Sequence, residues 1–143
     1  MKPDEAEKYC KKLGGYLVTV TSQQEQDFVA AIAEKGNEDN YCIGATDFGD
    51  EGNWRWMNGE KWAYTNWYQG GSAGLKEPNN GLGSGEDYAV MNRARNWQWV
   101  DVFGGYDNYT NVNCFICEWE KGYTISVTQQ ELLLKPGQKQ YLQ

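Results

Sequence analysis

Carboxylates and side-chain amides crowd several stretches of this sequence where no apolar periodicity runs. Asp47, Asp50 and Glu51 follow one apolar run. Glu77-Pro78-Asn79-Asn80 sits in a glycine-rich segment that Glu86-Asp87 closes, and Asp101 ends the run Trp97–Val100. All are hard oxygen donors on loops or strand ends. Calcium takes about six to eight such oxygens and tolerates irregular geometry, and clustered carboxylates repel one another unless a cation lies between them. From composition alone a solvated acidic loop surface accounts for the same pattern. Glu77 with Glu86 is also the type of carboxylate pair that hydrolyses glycosides. No sign of a deep cleft accompanies it, so the sequence reads as a binding protein and not an enzyme.

The rest of the composition narrows the chemistry. Thirteen Lys and Arg stand against 20 Asp and Glu, a net charge of −7 over 143 residues, so a phosphate backbone finds no basic footprint. The absence of histidine removes His-based triads, metal sites and proton shuttles. No apolar run approaches the length of a membrane span. The opening Met1-Lys2-Pro3-Asp4 reads as the start of an excised piece, so a missing leader says nothing about export. Of the four cysteines, Cys114 and Cys117 form a Cys-x-x-Cys pair. Zinc would need a second close pair or histidines, and a redox motif would need a βαβ setting. Structural disulfides in an exported domain fit better.

The elements that must position these residues are α+β in pattern. Residues 4–13 predict a helix with Pro3 in its first turn and Gly14-Gly15 as its stop; Ala6, Tyr9, Cys10 and Leu13 share a face. Tyr16–Val20 reads as a short strand. Ser22 with Glu25 forms a capping box for a second helix, whose apolar face is Phe28, Val29, Ile32 and Ala33 and whose end is Gly36-Asn37. Strands follow at Tyr41–Ala45, Asn53–Trp56, Tyr88–Met91, Trp97–Val100 and Phe115–Glu118, with a hairpin signal at Asn58-Gly59. Residues 68–85 and 103–113 are long loops, the kind of segment that carries function in a compact domain. The tryptophans could form a sugar-stacking platform, though most read as core.

In order along the chain, Ala6-Glu7-x-Tyr9-Cys10-x-x-Leu13-Gly14-Gly15-x-Leu17, Ser22-x-x-Glu25-x-x-Phe28, Ile43-Gly44-Ala45-Thr46-Asp47, Asn66-Trp67, Glu77-Pro78-Asn79, Gly83-Ser84-Gly85-Glu86-Asp87, Trp99-Val100-Asp101 and Phe115-Ile116-Cys117-Glu118 resemble a C-type lectin domain over residues 4–120. The resemblance implies a C-type lectin-like fold over 1–121, followed by a tail, and a calcium-dependent carbohydrate-binding module. The alternative is a protein-binding or adhesion module with a degenerate sugar site. It implies a carbohydrate and calcium site at Glu77, Asn79, Glu86 and Asp101, with a cis peptide at Glu77–Pro78. It also implies an auxiliary calcium site at Asp47, Glu51, Asn80, Glu86 and Asp87. Val100 stands where the family has an asparagine ligand, and the loop before Glu77 is longer than usual. The first disulfide maps to Cys10–Cys117. Tyr88 occupies a cysteine position of the second, which leaves Cys42 and Cys114 over to pair with each other. The partners implied are a mannose-type glycan or a host or surface protein, and the place is extracellular, on a cell surface or secreted.

The family's strand before the first helix is absent here. The segment Tyr123–Val127 is expected to fold back antiparallel on Phe115–Trp119 in its stead, the rival outcome being a strand exchanged with a neighbouring molecule. Tyr123–Val127 with Leu132–Gly137 resembles the first strands of bacterial immunoglobulin-like (group 2) repeats, which would place the chain in a bacterial surface protein; an ordinary hairpin extension is the other reading.

Overall fold

Pro3 starts α1 (Pro3–Lys12), where its fixed φ suits the first turn and its missing N–H costs nothing. The computed structural model describes residues 2–72, 75–81, 85–104, 114–120 and 140–142, the last three by backbone pairing only. Acidic Asp4 and Glu5 open the helix and basic Lys11 and Lys12 close it, each matched to the dipole. Leu17 donates its backbone N–H to the buried Glu7 carboxylate at 2.8 Å, which fixes α1 against β1 (Tyr16–Leu17). β1 is shorter than its apolar run because the chain then leaves one sheet for the other. Val18 N bonds Ile116 O at 2.8 Å, while Val18 O accepts from Gly44 N at 2.8 Å. A Cβ on Gly44 would lie 2.8 Å from the Leu17 carbonyl, so only glycine permits this approach.

Ser22 caps α2 (Gln23–Lys35), accepting from Glu25 N at 3.1 Å. The Glu25 carboxylate does not return to Ser22 N as in the expected box but accepts from the residue before it, Thr21 N, at 2.7 Å. The buried face differs from the predicted one. Phe28 is 49% exposed, and Gln26 lies inside with Val29, Ile32 and Ala33. The amide explains the exchange: Gln26 donates to Trp97 O at 3.0 Å and accepts from the Trp99 indole at 2.9 Å. No apolar side chain could satisfy both.

The central sheet takes β2 (Asn40–Thr46), β3 (Arg55–Trp56), β4 (Tyr88–Asn92) and β5 (Trp99–Val102) in the order β3-β2-β4-β5. Its ladders are antiparallel, and β6 (Cys114–Phe115) adds a parallel pairing to β2. The β2–β3 hairpin turns through residues 47–54, so the Asn58-Gly59 turn follows β3 without a described strand returning from it. β5 starts two residues later than its apolar run because Asn96 and Trp97 both have positive φ, 54° and 64°, which no strand accommodates. Trp56, Trp67, Trp97 and Trp99 are buried between this sheet and α2, and Trp54 and Trp62 pack against them. They are core, as most of the tryptophans were expected to be.

β7 (Cys117–Trp119) lies in the second sheet, between β1 and β8 (Gln140–Leu142). The free edge of β7 is therefore paired within the chain, but by 140–142 in antiparallel register, Trp119 opposite Gln140. Tyr123–Val127, the segment expected there, lies outside the described residues.

A disulfide joins Cys10 of α1 to Cys117 of β7, which excludes both the zinc and the redox reading of Cys114-x-x-Cys117. Cys42 and Cys114 are free thiols, contrary to the expected second bridge. Register is the reason. In the parallel β2–β6 pairing Tyr41 faces Cys114 and Cys42 faces Phe115, so the one-residue offset turns the two thiols to opposite faces. Cys42 packs in the cluster with Cys10 and Leu17, Cys114 against the tryptophan cluster. Complete burial pushes the Cys42 thiol up to about 12 and leaves almost no thiolate at neutral pH. Alkylation of the native protein should label Cys114 first, with Cys42 reacting only on unfolding. Equal labelling rates, read by mass spectrometry, would refute this arrangement.

At Tyr88, the position the resemblance gives to a second bridge, the ring lies on Gly104 instead. A Cβ at Gly104 would stand 2.3 Å from the ring.

Candidate functional site

Three strand ends and two loops carry the acidic residues to one end of the central sheet. Asp47 follows β2, Asp87 precedes β4, and Asp47 N bonds Asp87 O at 3.2 Å. Asp47 is 1% exposed. Its Oδ2 accepts from Gly52 N at 2.9 Å, which closes the loop that presents Glu51. Carboxylate oxygens of Asp47, Glu51 and Asp87 lie within 4.8 Å of one another. Asp47 Oδ1 is buried with no hydrogen-bond partner, and among the described residues no Lys or Arg pairs with any of the three. Desolvation, then Asp47, raises Asp87; desolvation, then Asp47, Asp87 and Asp101, raises Glu51. A buried oxygen without a donor in a mutually repelling group is what a hard cation satisfies, so these residues fit calcium.

The two other residues expected here are adjacent but turned to different work. Asn80, at φ 48°, accepts from Glu86 N at 3.3 Å through its side chain. The Glu86 carboxylate accepts from Gly81 N.

The second set stands beside it. The Glu77–Pro78 peptide is cis. Asp101 accepts from Asn79 N at 3.0 and 3.1 Å and from Asn80 N at 2.7 Å, so both its oxygens hold the loop's backbone. Glu77 Oε1 takes Arg95 at 3.0 Å, and Glu77 Oε2 is buried without a donor. Burial, then the contact with Asp101, pushes the Glu77 carboxyl up to about 8, against the pull of Arg95. Val100 supplies no oxygen. With Asp101 committed to backbone amides, one Glu77 oxygen on Arg95 and no side-chain oxygen at position 100, the set falls short of a calcium cage as it stands, the donorless Glu77 Oε2 notwithstanding.

Arg95 was not among the expected site residues; Tyr68 opens the long insert that was expected to line or cover the site. Arg95 lies over the Tyr68 ring at 4.6 Å from its centroid. The long loop before Glu77 is pinned at its base, with Tyr68 N on Trp99 O at 2.9 Å and Glu77 N on Tyr68 O at 2.8 Å. The signal was present as a basic Arg93-Ala94-Arg95 turn between two strands, opposite an acidic loop. A third acidic group has carboxylate oxygens within 4.8 Å of one another: Glu118 in β7, Glu120 just after it, and Glu60 from the turn after β3. Tyr16 (3.0 Å to Glu118, 2.8 Å to Glu120) and Thr19 (3.0 Å to Glu60) bind it.

The Lectin C-type domain family matches residues 1–119. The chain belongs to the C-type lectin family. A perlucin-like protein of Mytilus galloprovincialis is 34% identical over 101 residues, which are 68% of this chain and 60% of the mussel protein. The lectin chain thus spans about three fifths of that relative. Its fold matches the cow C-type carbohydrate-recognition domain of CD23, solved in the presence of GlcNAc2Man3 oligosaccharide, at 32% identity and TM-score 0.59 over 73% of this chain and 72% of that one. It also matches a calcium-independent type II antifreeze protein at 25% identity and TM-score 0.60, over 74% of this chain and 72% of that one. Among the described residues no helix of the lectin domain is long and apolar enough to cross a membrane.

Proposed function

We propose that this lectin domain is a non-enzymatic, extracellular carbohydrate-binding module, residues 1–121, whose binding loops are organised by calcium at Asp47, Glu51 and Asp87, with Asn80 and Glu86 alongside. The observation that carries the metal is the donorless, buried Asp47 Oδ1 in a group of three carboxylates that no Lys or Arg among the described residues pairs. A calcium ion there supplies the positive charge that lets the loop after β2 and the residue before β4 lie together. The glycan face is Glu77, Asn79, Glu86 and Asp101, and the likeness to a CD23 domain solved with GlcNAc2Man3 supports a mannose-containing ligand. The disulfide supports an oxidising, extracellular setting. Bacterial origin rests on the pattern of the 122–143 tail alone; the mussel and cow relatives are animal proteins, and the family match ends at residue 119.

Calcium should raise the melting temperature. At about 5 mM calcium and a Kd near 10⁻⁴ M, typical of extracellular modules, linkage stabilises by about 2 kcal/mol, a shift of several degrees. The isosteric Asp47→Asn variant should lose that shift, and identical melting curves in EDTA and calcium would sink the calcium reading. A glycan array with and without calcium tests the ligand: binding present with calcium and lost in EDTA is the expected result. The second reading, a protein-binding or adhesion module, is favoured by Val100 and by the Arg95–Glu77 pair. It prevails if the array is blank while calcium still raises the melting temperature.

A further inference from the structure

We infer that Arg95 is the resident cation of the Glu77–Pro78–Asn79 loop, so that this face meets its ligand without a metal ion and calcium is confined to Asp47, Glu51 and Asp87. The inference deepens the proposed function, and its second half rests on the calcium reading of the Asp47 group.

The two acidic groups differ in one respect that decides between them. Among the described residues no Lys or Arg forms an ion pair with the Asp47 group; the Glu77 loop has a guanidinium 3.0 Å from Glu77 Oε1. Arg95 is held in place from several sides. Its partner in the same turn, Arg93, ties that turn to the end of α2 through Gly36 O at 2.8 Å and Glu34 at 3.0 Å, and lies 4.7 Å over the Trp97 ring. Asn96 and Trp97, both at positive φ, fix the direction in which the turn leaves. Tyr68, bonded through its backbone to Trp99 and to Glu77 itself, supplies the ring under the Arg95 guanidinium. A planar guanidinium pinned between a ring face and a carboxylate loses little further freedom on pairing.

A divalent ion on Glu77 would have to displace this guanidinium or sit within a few ångströms of it, against like-charge repulsion. It would find fewer oxygens than it needs, because Val100 offers none and Asp101 is committed to the amides of Asn79 and Asn80. A hydroxyl-rich ligand here meets other groups instead: the remaining guanidinium N–H donors, the Asn79 side-chain amide, and the half-buried Tyr68 ring as an apolar face.

Calcium titration calorimetry on five proteins tests this. The wild type should bind one calcium. Glu77→Gln should bind it within about twofold of the same affinity, and Arg95→Lys, which keeps the charge, should behave as wild type. Asp47→Asn should bind none up to about 10 mM, roughly ten times the weak limit for extracellular modules. Adding Arg95→Gln and Val100→Asn to Asp47→Asn should create a new site. Two calcium ions in the wild type, a loss of tenfold or more in Glu77→Gln, or no new site in the triple variant would each overturn the role of Arg95. A wild type that binds no calcium would sink only the Asp47 reading, and the triple variant would still decide Arg95. Melting curves in EDTA show that each variant is folded.

Discussion

Replacing Cys10 and Cys117 together with serine is expected to cost about 4–5 kcal/mol, the chain-entropy value for a bridge closing roughly 100 residues. The bridge spans 107 residues and is the covalent link between the first helix and the last lectin strand. The measurement is urea unfolding of the double variant, read as a lower midpoint with a steeper slope, because the chain without its cross-link unfolds to a more open state. Reduction of the wild type should give the same loss and no more, because Cys42 and Cys114 are thiols already. A loss under about 1 kcal/mol would mean that α1 stays docked by the packing of Ala6, Leu17 and Trp119 and that the bridge adds little.

Trp99→Ala should be of similar size, about 3–5 kcal/mol, for a large side chain removed from a closed core. Trp99 is 0% exposed and meets the rings of Trp56, Trp62, Tyr64 and Trp67 at centroid distances of 5.6–6.0 Å. Its loss also leaves the buried Gln26 oxygen without its donor. Because its carbonyl anchors Tyr68 and its neighbours in β5 include Asp101, the variant should lose ligand binding and calcium response along with stability. Trp99→Phe keeps a ring and drops the indole donor, and should cost less. Should Trp99→Ala melt within a degree of the wild type, the tryptophan cluster does not carry the core.

Local signals were the legible part. Pro3, the Ser22 cap and the spaced apolar residues fixed both helices to within a residue or two, and the ordered motifs fixed the fold. Asp47, Glu51 and Asp87, which the resemblance implied as an auxiliary calcium set, do have carboxylate oxygens within 4.8 Å of one another. What escaped was decided by partners far along the chain. Gln26 reads as a surface residue until Trp97 and Trp99 arrive 71 and 73 positions later. The pairing of Cys42 with Cys114 failed on a one-residue register that no spacing reveals. Arg95 reads as an ordinary turn residue until the loop pinned at Tyr68 brings Glu77 to it, 18 positions away.

The Tyr88 ring lying on Gly104 has an evolutionary consequence. The two positions are coupled, so a covalent cross-link between them is not reachable through single substitutions. Gly104→Cys alone drives a Cβ to 2.3 Å from the ring, inside any tolerated contact, while Tyr88→Cys alone removes the ring that fills the space and leaves an unpaired thiol facing a residue with no side chain. The two positions are therefore expected to tolerate change together better than singly, and among the described residues no disulfide lies beside the acidic loops.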